Sequence, residues 1–319
     1  MASINHLEET TDFPLTEPSV NPRLSVGYPI TFKNYIAQEW LGKTDTADRI
    51  RKGYNELGVL GYTHLLQIRG DNYCAIRSNL FQTFSIENLT DCPLLAKMGC
   101  PEKVQECVGP IFEKYPFLEK WSFANKEEFH ELGDAISVLK MCVGNLAYEL
   151  NKVRTATTRM DGRVYFLHNL NSNPSERFDF SLMEAIKFYM FVKSAEFWEL
   201  SQTGEELPNG MEHFFLRETS LSLEDFLINH LNNVGSIGGL EMIEMVLLGY
   251  TLGMQIRVYR ISSFGKEDFI TYYPPGNYPN ERIINISAED DRHYNVITTL
   301  NDVEEFHLST NTYSVEPSV

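Results

Sequence analysis

An α+β fold is predicted for this chain of 319 residues, and three observations carry the prediction. From Tyr28 to Leu252 the apolar residues recur mostly at spacings of three and four, the period of helices with a buried face. From Gln255 to Thr299 the period shortens to two, the period of strands. No linker, internal repeat or low-complexity tract divides the chain, so helices and sheet are expected to share one core.

Taken in order, residues 1–24 are polar and carry Pro14, Pro18 and Pro22, which predicts a flexible N-terminal tail. The folded domain is expected over 25–300 and a C-terminal tail over 301–319. Tyr28 to Leu57 reads as helical, with Thr44 or Asp45 capping a second helix. Leu65 to Ile68 is a short apolar run that leads through Arg69-Gly70 into a helix. Asp71 is the expected N-cap of that helix, which places Cys74 at its third position. Tyr73, Ile76, Leu80 and Phe84 would form its buried face.

Residues 91–160 alternate short helical patterns with polar loops, and Phe129 to Glu149 reads as a long helix. Phe180 to Leu200 is another, followed by Ser222 to Asn232 and Leu240 to Leu252, with Gly235 to Gly239 as punctuation between the last two. Four strands follow at Gln255 to Ile261, Phe269 to Tyr273, Arg282 to Ser287 and His293 to Thr299. Turns with Gly265 and Pro274-Pro275-Gly276 suggest an antiparallel meander. Helices first, then a sheet against which the Cys74 helix packs, is the layout of a papain-like fold.

Composition narrows the chemistry. The net charge of −17 repels nucleic acid and anionic membranes, so neither is an expected partner. The five cysteines are odd in number and contain no CxxC pair, which argues against a disulfide framework or a zinc site. No apolar run reaches the ~18 residues of a membrane helix, and MASINHLEET has no signal-peptide pattern. A cytoplasmic protein with reduced thiols, needing no metal or organic cofactor, is the expectation.

Cys74, His293 and Asn295 are the candidate reactive set. A cysteine in the first turn of a helix faces the positive end of the helix dipole, which favours the nucleophilic thiolate. His293 and Asn295 stand two apart in a strand pattern and share a face. A histidine that takes a thiol proton needs its second ring nitrogen held, and an asparagine carbonyl can hold it. Taken singly, each residue has a plainer reading: Cys74 as a small buried hydrophobe, His293 as a satisfied polar residue and Asp71 as a cap alone.

The segments RGDNYCAIRSNLFQTFS and AEDDRHYNV resemble the nucleophile and histidine segments of the OTULIN family, OTU-class deubiquitinases that cleave linear ubiquitin chains. The resemblance continues through PRLSVGYP, EWLGKT, IRKGYNEL, RETS, NHLNNVGSIGGLEMIEMVLLGY and EDFITYYP, in the family's order, over roughly residues 22–297. It implies an OTU catalytic domain with Cys74 as nucleophile, His293 as general base and Asn295 as its orienter. Asp71 would shape the oxyanion loop. It further implies that ubiquitin, as Met1-linked di- and polyubiquitin, is the partner. Tyr35, Trp40, Asp268 and Asp290 match the family's proximal-ubiquitin contacts, and Asp290 would restrain His293 until substrate helps align it.

His213 stands where the family carries an apolar contact to the distal ubiquitin. The motifs for binding a linear-chain ligase through its PUB domain, and for a PDZ domain, are not recognisable. Without the resemblance, Trp40 and Tyr35 read equally as packed aromatics, Asp268 as a solvated loop residue and Asp290 as a turn residue. Alternatives to the linear-chain enzyme are an OTU deubiquitinase of broader linkage range and a catalytically idle ubiquitin-binding module.

Overall fold

The computed structural model describes residues 24–84, 101–124, 126–129, 131–172, 176–278, 282–290 and 292–313. The expected N-terminal tail, Cys92 and Cys100 therefore lie almost wholly outside the described residues. Helices of eight residues or more and all strands are numbered in chain order. They begin with β1 (Ile30–Thr31), α1 (Phe32–Glu39), α2 (Asp45–Val59), β2 (Tyr62–Leu66) and α3 (Cys74–Thr83). The helical half continues with α4 (Pro101–Lys114), α5 (Ala135–Thr155), α6 (Arg159–Ser172), α7 (Arg177–Thr203) and α8 (Met242–Leu252). Then come β3 (Gln255–Arg260), β4 (Ile270–Tyr273), β5 (Ile283–Ala288), β6 (Tyr294–Thr299) and α9 (Leu300–Tyr313).

Local chemistry sets several boundaries. Thr44, not Asp45, caps α2 by accepting the Ala47 N–H at 3.2 Å. Asp134 caps α5 through the Ser137 N–H at 2.9 Å, so that helix starts later than its apolar pattern suggested. Gly204 and Gly253 end α7 and α8 in the left-handed conformation.

The sheet is not a meander. Its strand order is β1-β2-β6-β5-β3-β4, antiparallel throughout except for the parallel pair β3–β5. β4 folds back on one side of β3 and is the less buried edge. β5 then takes the other side of β3, where Ile284, Ile286 and Ala288 are covered by the core. β6 closes on β5 and on the N-terminal β2, a pairing between segments far apart in sequence.

The expected C-terminal tail is also corrected. Leu300–Tyr313 is a helix that buries Val303 and Phe306, three apart, against the domain. Asp302 ties its first turn to Thr299 and to Arg159 of α6. Residues 314–319 lie outside the described ones.

At the centre is α3, buried on every side instead of along one face. Several of its polar side chains bond inside the core: Ser78 and Thr83 donate back to carbonyls of their own helix, and Gln82 donates to Asn285 O and Ile297 O of the sheet, whereas Asn79 Oδ1 is buried without a hydrogen-bond partner.

Candidate active site

Cys74 is the first residue of α3, and Tyr73 occupies the cap position without a side-chain cap bond. Asp71 is thus not the N-cap. Its Oδ1 accepts the Tyr73 N–H at 2.9 Å, and its two oxygens also accept from Arg77 Nη1 at 2.7 Å and Nη2 at 2.8 Å. Arg69 Nε adds a bond of 2.8 Å. The reason is Arg77, fully buried one turn into the helix, which needs carboxylates around it. Asp179 of α7 supplies the second, accepting from Arg77 Nε at 3.0 Å, Arg77 Nη2 at 2.6 Å and Arg69 Nη2 at 2.5 Å.

The electrostatics follow from this network. Burial pushes the Asp71 carboxyl up, but Arg77 and then Arg69 outweigh it and hold the group below its usual range. Burial works against the Arg77 charge, yet Asp179 and Asp71 raise its pKa further above the ordinary range. The loop before the nucleophile is therefore clamped by two arginines and two carboxylates from three segments of the chain.

A second buried cluster fixes the other side of that loop. The Tyr73 hydroxyl donates to Glu184 of α7. Glu184 also accepts from Trp121 Nε1 at 2.8 Å and pairs with Lys187 Nζ at 3.0 Å. Lys187 in turn donates to Val234 O at 3.1 Å. The next residue, Gly235, has φ +87°, and a Cβ there would lie 2.2 Å from the Tyr73 ring. The Tyr73 ring therefore fills the space that any larger residue at 235 would need. The glycine punctuation of the sequence has this packing reason.

The thiol itself is only 2% exposed, and Sγ donates to Arg292 O at 3.3 Å. Burial pushes its pKa up to about 11. The Tyr294 N–H, Arg77 and the Ala75 N–H pull the other way, while the Asp71 charge adds to the rise. Burial thus works against the thiolate that the helix terminus was expected to favour, and Sγ stands as a hydrogen-bond donor to Arg292 O.

The contact with Arg292 places the nucleophile against the turn that carries His293. Asp290 Oδ1 accepts the backbone N–H of Arg292 at 2.8 Å and of His293 at 2.7 Å. Asp290 thus closes the turn through the main chain, and among the described residues the His293 ring makes no hydrogen bond. β6 begins one residue later, at Tyr294. Asn295 is buried, and its Oδ1 accepts the Ile68 N–H at 2.9 Å. In this state Asn295 joins β6 to the segment entering the Asp71 loop, so the expected bond from Asn295 to His293 is not made.

The other expected contact residues are scattered. Tyr35 is 4% exposed and packs edge-on to Tyr54 at 5.6 Å. It presents almost no contact area, because it faces the small core beneath α1 and α2. Trp40 is half-buried at the end of α1, and its Nε1 donates to Glu289 Oε1 at 3.1 Å. Asp268 is exposed, accepts from Ser263 Oγ at 3.0 Å and lies 3.7 Å from Arg260 Nη1. His213 is exposed, and Leu216 three residues on is 73% exposed.

Sequence reasoning missed Arg77, Asp179, Glu184 and Glu289 as partners of the site. It also missed Asn72, whose Nδ2 donates to Ser236 O at 3.0 Å and brings the 80%-exposed Ile237 beside the nucleophile loop. Only Arg77 carried a local signal: an arginine three residues beyond the cysteine, in a segment expected to pack as a buried helix. Among the described residues no group of His, Cys, Asp and Glu could hold a metal ion, and no helix is long and apolar enough to cross a membrane.

A cysteine at the head of a central helix, facing a histidine turn between the inner strands β5 and β6, defines a papain-like thiol-hydrolase architecture. The chain belongs to peptidase family C101, whose model matches residues 24–298. Its fold is that of the OTU proteins. A solved complex of h/ceOTUB1 with ubiquitin aldehyde and UBC13~Ub is similar at a TM-score of 0.54 and 14% identity, covering 86% of this chain and 91% of that one. The corresponding complex with UBCH5B~Ub gives 0.51 and 13%, covering 86% and 90%. A ceOTUB1 complex with ubiquitin aldehyde and UBC13~Ub gives 0.51 and 11%, covering 86% and 93%.

Proposed function

We propose that this C101 peptidase is a deubiquitinase that hydrolyses the Gly–Met1 peptide bond of linear ubiquitin chains through Cys74, His293 and Asn295. The observation that carries the catalytic part is the seat of Cys74 at the head of α3, with Sγ 3.3 Å from the carbonyl of the residue before His293. Ubiquitin as substrate is supported by the folds above, solved with ubiquitin aldehyde, and Met1 linkage by the resemblance of the motifs around Cys74 and His293.

Substrate entry parts the thiol from Arg292 O and brings the His293 ring to Sγ. Asn295 Oδ1 has a second lone pair with which to hold the imidazole. His293 takes the Cys74 proton, and the thiolate attacks the carbonyl carbon of the distal ubiquitin's last glycine. Backbone donors at the Asp71–Cys74 loop, clamped by Arg77 and Asp179, stabilise the oxyanion. Collapse breaks the C–N bond, and protonated His293 gives its proton to the leaving methionine amine. Water, deprotonated by His293, then cleaves the thioester and frees Cys74.

On this reading Trp40, Asp268 and Asp290 meet the proximal ubiquitin, whose basic surface suits the two carboxylates. The surface near His213, Leu216 and Ile237 meets the hydrophobic patch of the distal one. Tyr35 supports Trp40 from beneath. The test is a gel assay of the purified protein and its Cys74→Ala variant on diubiquitins of every linkage. Cleavage of the Met1-linked dimer alone, lost in the variant, is expected. Cleavage of several linkages would remove the specificity reading, and binding without cleavage would make the protein a ubiquitin reader.

A further inference from the structure

Glu289 stands where β5 ends and the histidine turn begins, next to Asp290. Its carboxylate is not solvated like that of an ordinary turn residue. Oε1 accepts from the Tyr54 hydroxyl at 2.5 Å and from Trp40 Nε1 at 3.1 Å. Tyr35 is a third neighbour, its hydroxyl pushed up by burial first and by the Glu289 charge second. Tyr54 is fully buried, so the carboxylate reaches into the core beneath α1 and α2.

The turn after Glu289 contains both halves of the reactive pair's surroundings. Asp290 holds the Arg292 and His293 amides, Arg292 O holds the Cys74 thiol, and His293 follows. One end of this short turn runs into β6. The other is fixed by the aromatic donors on Glu289. We propose that Glu289 is a positioning residue, which sets where the turn places Arg292 O and His293 by anchoring it to Tyr54 and Trp40. This rests on the hydrolase reading above for its catalytic consequence, though not for its structural one.

The consequence has a signature that mere loss of stability does not produce. Freeing the turn withdraws Arg292 O from the thiol, which makes Cys74 easier to ionise. The same freedom takes His293 out of line for turnover. Reactivity toward a small electrophile rises while catalysis falls.

The experiment compares the full-length wild type with Glu289→Ala and Glu289→Gln. Alkylation of Cys74 by iodoacetamide is followed by site-resolved mass spectrometry, beside kcat and KM on Met1-linked diubiquitin and the midpoint of urea unfolding. For Glu289→Ala, alkylation is expected to rise about 5-fold or more and kcat to fall about 10-fold or more. Glu289→Gln keeps a carbonyl acceptor for the aromatic donors and is expected to recover most of both effects.

Unchanged alkylation in Glu289→Ala, or a kcat that does not fall, would overturn the proposal. So would a loss that the glutamine does not recover. If the alanine variant does not fold, Trp40→Phe removes one donor and keeps a ring. It should move alkylation in the same direction by a smaller factor, and no movement would overturn the proposal. If the wild type cleaves no ubiquitin chain, the hydrolase reading fails, and the alkylation comparison still decides the role of Glu289.

Discussion

The two halves of the candidate active site are built differently. The nucleophile half is clamped: Asp71, Arg77, Arg69 and Asp179 form a charged lattice around the loop, and Tyr73 is seated on Glu184 and Gly235. The histidine half is a short turn closed by Asp290 through two amides and tied at its start by Glu289. Every residue of α3 is buried, whereas Asp290 and Arg292 are exposed. The difference teaches where adjustment is available. On the proposed function, the oxyanion loop is prepared before substrate arrives, the base is brought into line afterwards, and binding energy from substrate is used to assemble the reactive pair.

The comparison breaks most visibly at its rigid side. Asp179→Asn leaves Arg77 and Arg69 short of a charge in a buried site, and should cost about 3–5 kcal/mol of stability in urea unfolding. A loss below about 1 kcal/mol would show that the lattice is not the clamp described. Gly235→Ala forces a Cβ toward the Tyr73 ring at a positive φ. It should cost ~2–4 kcal/mol and lower activity with stability, since Tyr73 carries the cap of α3.

The adjustable side should respond in the opposite manner. Asp290→Ala removes the acceptor of two exposed amides, for a loss of about 1 kcal/mol, yet it should change kcat/KM by about 10-fold or more because His293 moves with that turn. A variant with wild-type kinetics and a large stability loss would reverse the assignment of the two halves.

The pH responses are smaller and sharpen the contrast. The alkylation rate of Cys74 in the free protein should rise with pH toward a midpoint of about 11, because the folded site favours the neutral thiol. A midpoint near the ordinary thiol value of about 8.5 would contradict the resting geometry. Asp71 has a folded pKa below its unfolded one. The stability it lends is therefore present above about pH 4 and is lost as pH falls through the folded value. The gap in unfolding free energy between wild type and Asp71→Asn should be full at neutral pH and narrow in acid.

Much of this was legible in the sequence where the physics is local. Thr44 capped α2, the long helix around Phe180–Leu200 was present, and the four C-terminal strands fell within a residue or two of their periodic runs. What the sequence withheld depends on residues far apart. Arg77 and Asp179 meet across more than a hundred residues, and that meeting turned Asp71 from an expected cap into a salt-bridge acceptor.

The strand order was hidden because alternation tells which residues share a face, never which strand lies alongside. The helix after Thr299 was read as a tail since, among the described residues, its buried apolar side is marked by just Val303 and Phe306. Tyr35 and Trp40 stand five residues apart in sequence, yet one faces the core and the other its rim. The Cys74 thiol carried a helix-terminus signal, and the desolvation that outweighs it appears only once β6 and its turn close over it.

The account turns on Cys74 attacking the C-terminal carbonyl of ubiquitin. The most direct measurement is the intact mass of the protein after incubation with ubiquitin bearing a C-terminal electrophile, followed by peptide mapping. The account predicts one ubiquitin added, on Cys74, and no adduct in Cys74→Ala. An adduct on the exposed Cys107, or binding of the probe without any covalent product, would contradict it.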